Sequence, residues 1–83
     1  MINTDYVTLE DVKGLLNFIQ DYGKLLDYSP YTLHCAISIL TADIIRLEGH
    51  VKYVNYPPYG VFFTIRKIIE KYNKFLMEKQ ENG

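Results

Sequence analysis

The chain has 83 residues, of which 48% are hydrophobic and 23% charged, and its formal net charge is -1. This composition supports one globular domain over residues 1–83 and excludes a disordered polyelectrolyte, which needs low hydrophobicity and high net charge. A domain this short buries only about 60% of its unfolded surface, so its margin of stability is thin and self-association would help.

The acidic residues Asp5, Glu10, Asp11, Asp21, Asp27 and Asp43 dominate the first half against Lys13 and Lys24, whereas the second half is basic. The chain is dipolar rather than basic. A single cysteine, Cys35, cannot close an internal disulfide, and the N-terminus lacks the basic and then apolar layout of a signal peptide. A cytoplasmic protein is expected. The most apolar stretch, residues 33 to 47, is interrupted by Asp43 and Arg46 and falls short of the roughly 18 apolar residues that a membrane span requires. No contact with a membrane is expected.

Thr8 followed three residues later by Asp11 forms a capping-box pattern, with Val7 and Val12 placed for a hydrophobic staple. The stripe Val12, Leu15, Ile19, Tyr22, Leu26 then advances in steps of three and four, predicting a helix over about 9–26. Gly14 and Gly23 each weaken it by up to about 1 kcal/mol relative to alanine. Asp27 to Ser29 remain as a tight turn.

Ser29 before Pro30 is an N-cap ahead of a residue pre-set for the first helical position. The stripe Leu33, Ile37, Leu40, Ile44, Leu47 predicts a second helix over about 30–48, with Ile37 and Leu40 central to its core face and Gly49 as the left-handed residue that ends it. Ile39 and Ile45 lie off that stripe. A helix apolar on more than one face is either central or a dimer element, and Ile39 and Ile45 are its candidate interface residues.

The link from His50 to Tyr59 exceeds the roughly 2 to 8 residues that usually join bundle helices, and it carries Val51, Tyr53, Val54 and Tyr56. It either crosses the bundle as an extended segment or pairs, through its 51–56 stretch, with the alternating Ile2, Thr4 and Tyr6 as a two-stranded β appendage. After Pro57, Pro58 and Gly60, the stripe Val61, Ile65, Ile68, Tyr72, Phe75 predicts a third helix over about 60–79, followed by a frayed tail at 81–83. The expected architecture is mainly all-α, an antiparallel three-helix bundle.

His34 and Cys35 suggest a base and a nucleophile, but adjacent helical residues point about 100° apart. No catalytic role is assigned. Cysteines and histidines at metal-ligand spacing are missing, and so is a glycine-rich phosphate loop, so no metal, cofactor or enzyme activity is expected. Arg66, Lys67, Lys71 and Lys74 form a basic flank on the third helix, the candidate nucleic-acid surface, interrupted by Glu70 and Glu78. A solvated helix face explains the same residues. Among eight tyrosines, Tyr53, Tyr56 and Tyr59 cluster in the link and are the candidate partner-binding residues, because tyrosine offers rigid contact area with a polar tip. Their alternative is to cover the edge of the core. These features predict a homodimeric protein-binding module, inhibitor or regulator, with nucleic acid as the alternative partner.

Overall fold

A computed structural model describes residues 1–82, the side chains of the last two excepted, and the fold is all-α. Helix α1 spans Leu9–Tyr22, a 3-10 turn follows over Gly23–Leu25, α2 spans Pro30–Gly49 and α3 spans Val61–Asn82. The tail expected over 81–83 lies outside the described residues, apart from helical backbone as far as Asn82.

Local chemistry sets the boundaries. The Asp11 amide donates to the Thr8 hydroxyl and the Thr8 amide to the Asp11 carboxylate, at 3.3 and 3.1 Å, so the capping box is closed at both ends. Ser29 caps α2 by accepting from the Thr32 amide at 3.1 Å, with Pro30 as the first helical residue. Gly23 ends α1 earlier than the stripe predicts. It stays right-handed (φ -56°) and tightens the chain into the 3-10 turn, and the reversal falls on Asp27, left-handed at φ 61°. Gly49 is the last residue of α2 rather than a left-handed cap; the positive φ of 62° belongs to Gly60, ahead of α3.

Each helix packs against the other two. Contacts between α1 and α3 climb together, from Gly14 beneath Tyr72, through Phe18 against Tyr72 and Phe75, to Tyr22 against Phe75, so these two helices run parallel. Near the α1–α2 reversal, Gly23 lies beside Leu33. The core centres on Val12, Leu15, Leu40, Ile65 and Ile68, all fully buried. On α2 the buried face differs from the predicted one. Ala36, Leu40 and Asp43 point inward, whereas Ile37 is 38% exposed. The helix is turned by a fraction of a residue step toward Asp43, whose carboxylate has a partner inside.

That partner comes from the link. Val7 and Val54 form one antiparallel bridge, exchanging amide hydrogen bonds of 2.8 and 2.9 Å, and the Tyr56 amide donates to the Thr4 carbonyl at 3.1 Å. The pairing is a single bridge and no longer strand, so the β appendage is minimal. Asn73 on α3 fastens the other end of the N-terminal segment, accepting from the Ile2 amide at 2.8 Å and donating to the Ile2 carbonyl at 3.0 Å.

Candidate functional site

Tyr56, expected at a partner surface, is only 2% exposed and belongs to the core. Its hydroxyl donates to the buried Asp43 carboxylate at 2.7 Å, and its carbonyl accepts from the Arg66 guanidinium at 2.8 Å. With its amide on Thr4, every polar group of Tyr56 is satisfied by another part of the chain. Arg46 closes the network at the surface, 3.3 Å from Asp43. Burial, then the hydrogen bond to Asp43 and the charge of that carboxylate, hold the Tyr56 hydroxyl far above the ordinary tyrosine range. A raised folded-state value means that the stabilisation is whole below the unfolded value of about 10 and is lost as pH rises above it. Wild-type stability should therefore decline above about pH 10 with a Tyr56 share of up to about 1.4 kcal/mol per pH unit. Urea titrations between pH 9 and 11.5 should show a shallower decline for Tyr56→Phe; equal slopes would remove this assignment.

The two other link tyrosines are on the surface. Tyr53 packs against Tyr6, which arrives from the N-terminal segment, with ring centroids 4.8 Å apart, the planes tilted by 50° and both rings exposed. The Val7–Val54 bridge is adjacent in sequence to both residues and fixes the segments that carry them. Tyr59 is exposed two residues before α3 begins, ahead of the exposed Phe63. The link thus divides its tyrosines into one core anchor and two surface rings, and it adds Tyr6 to the surface set.

The basic residues of α3 are largely occupied within the chain. Arg66 holds the Tyr56 carbonyl; Lys67 lies 3.4 Å from Glu70 and 5.3 Å from the Phe63 ring centroid. Lys71 donates to the Leu26 carbonyl at 3.2 Å and sits 4.8 Å from the centroid of Tyr28. Lys74 is exposed. These contacts tie the flank to the core edge and to the α1–α2 turn instead of aligning it as one cationic row.

The outer face of α2 has a different character. Tyr31 and Ile45 are 76% and 70% exposed, and between them Ser38 and Ala42 are exposed while Cys35 is half-buried. No charged side chain lies on that line, because Asp43 points inward and Arg46 leans to it. Ile39 is half-buried and packs against the core, so it borders this face rather than standing in its middle. His34 is exposed and Cys35 half-buried, and no hydrogen bond joins them. Among the described residues no group of three or more histidine, cysteine or acidic side chains is placed to hold a metal ion. Nor is any helix among them long and apolar enough to cross a membrane.

A shallow groove of about 260 Å³ runs between α1 and α3, floored by Phe18, Tyr22, Tyr72 and Phe75 and rimmed by Asp21 and Lys79. Gly14 makes room there for the end of the Tyr72 side chain. A Cβ at that position would stand 2.6 Å from the Tyr72 hydroxyl, so an added methyl would have to displace the tip of that ring. The four rings lie 5.0 to 5.4 Å from their neighbours in tilted pairs, which is how aromatic side chains seal a core edge.

Three residues that organise these surfaces stand outside the sequence-derived set: Asp43, Asn73 and Tyr6. Asp43 carried a partial signal, since an acid three residues after a core leucine on a largely apolar helix needs a hydrogen-bond partner once it is buried. Asn73 and Tyr6 act through contacts across most of the chain and have no local signature. Comparison of the chain with protein-family models, with curated proteins and with solved structures finds no match in any of the three.

Proposed function

We propose that the protein is a small protein-binding module, of the kind that inhibits or regulates its target, working as a homodimer through the outer face of α2. The observation that carries the binding role is the Tyr6–Tyr53 pair. Two rings from segments far apart in the sequence pack against each other at a tilt, exposed and carried on paired backbone, so little freedom remains to be lost on docking. Tyr59 extends the same chemistry toward α3. Binding rather than catalysis is the activity, and the single cysteine suits a reducing compartment such as the cytoplasm.

Affinity capture from the native host compares the wild type with Tyr6→Ala, Tyr53→Ala and Tyr59→Ala, each first shown to fold. A protein retained by the wild type should bind at least one variant about 30-fold more weakly, the effect of losing an interface residue of about 2 kcal/mol. Retention of nucleic acid, with affinity falling steeply in salt and insensitive to the tyrosines, would replace this reading with one based on α3.

A further inference from the structure

We infer that the occupant of the α2 outer face is a second copy of this chain, packed antiparallel with Tyr31 over Gly49 and Cys35 against Ile45; this rests on the dimer reading above. The exposed residues Tyr31, Ser38, Ala42, Ile45 and Gly49, with half-buried Cys35, follow one another in steps of four and three. That spacing is the seam of a two-helix coiled coil, here on the side of α2 turned away from its own core. Such a face selects its mate by size. Bulky residues stand at positions 31 and 45 and small ones at 35, 38, 42 and 49.

Parallel pairing would set tyrosine on tyrosine and isoleucine on isoleucine, hold the helices apart and leave Ser38 and Ala42 without contact. Antiparallel pairing about a two-fold axis beside residue 40 avoids this. Tyr31 meets Gly49 of the second copy, Ile45 meets Cys35, and Ala42 meets Ser38, so every layer joins a small residue to a residue at least its size. The two-fold axis repeats each contact, as an isologous interface requires. The seam has no charge to desolvate. On its flanks the same register brings Glu48 beside His34 of the second copy, Arg46 beside Thr32 and Ile39 beside its own equivalent, so no like charges meet. The helix dipoles also oppose one another. A single 20-residue helix from each copy makes a small interface, below about 1,200 Å² in total, the size class of weak and transient contacts.

Two measurements test the dimer and its register separately. Sedimentation equilibrium of the wild type should show a monomer–dimer equilibrium at tens to hundreds of micromolar. Ile45→Cys, a change at an exposed position, should then oxidise with glutathione disulfide to a covalent dimer through its own new thiol and Cys35 of the second copy. Adding Cys35→Ser should abolish that product, because antiparallel packing places the two copies of position 45 ten residues apart, about 15 Å along the axis, beyond the roughly 7 Å limit for a disulfide. Cross-linking that persists without Cys35 would show parallel packing and overturn the register while leaving the dimer intact. A dimer with neither cross-link would move the interface away from this face. A wild type that stays monomeric throughout the concentration range would overturn the dimer reading and the inference together.

Discussion

Tyr56→Ala should leave the protein largely unfolded at 37 °C. Removing a fully buried aromatic side chain costs about 3–5 kcal/mol, and stranding a buried acceptor adds about 1–3 kcal/mol. The acceptor is the Asp43 carboxylate, whose remaining partner is a mostly exposed Arg46. A short domain with a thin margin lies toward the low end of a range on the order of 4–12 kcal/mol, so the loss takes most or all of it. Tyr56→Phe keeps the ring and removes only the hydroxyl, which isolates the second part at about 1–3 kcal/mol. Tyr53→Ala and Tyr59→Ala, on exposed rings, should remain within roughly 1 kcal/mol of the wild type. Urea melts followed by circular dichroism measure all four; a Tyr56→Ala protein as stable as Tyr59→Ala would mean that the link does not belong to the core.

The second large effect separates two neighbouring residues of α2. Leu40→Ala should cost about 2–5 kcal/mol, because its side chain is wholly buried at the centre of the bundle. In a domain of this size that corresponds to a fall in Tm of roughly 10 °C or more. Ile37→Ala should cost less than about 1.5 kcal/mol, since the side chain already meets water and leaves no closed cavity. Thermal melts of the two variants report which face of α2 is inside. Equal losses would return Ile37 to the core face and move Asp43 out of it.

The contrast between these two positions shows what local pattern carries and what it does not. The existence of three helices, the Thr8 and Ser29 caps and the core roles of Leu15, Leu40, Ile65 and Ile68 follow from spacing and side-chain chemistry, which act within a few residues. Helix α2 is harder because apolar residues surround most of it, so its stripe has two nearly equal placements about 40° apart. An interaction outside the helix, the Tyr56 hydroxyl on Asp43, selects between them. Tyr56 shares its residue type and its proline-rich surroundings with Tyr53 and Tyr59, and only the tertiary position of Asp43 separates the anchor from the two surface rings. The Tyr6–Tyr53 pair was hidden for a similar reason. It depends on the register between the N-terminal segment and the link, and with a single bridge between them the alternation of residues says little about register.

The clamp of Asn73 on Ile2, together with the Val7–Val54 bridge, has a consequence for how the chain meets proteases and deuterium. Segments 2–7 and 54–56 lie outside every helix, yet the amides of Ile2, Val7, Val54 and Tyr56 all donate to acceptors on distant parts of the fold. Their exchange with solvent should be slower than that of neighbouring amides that have no such acceptor. The middle of the link, residues 54–56, is therefore held more firmly against cleavage than the exposed stretches on either side of it. Its exposed beginning, around Lys52, is the part that a trypsin-like enzyme can reach first.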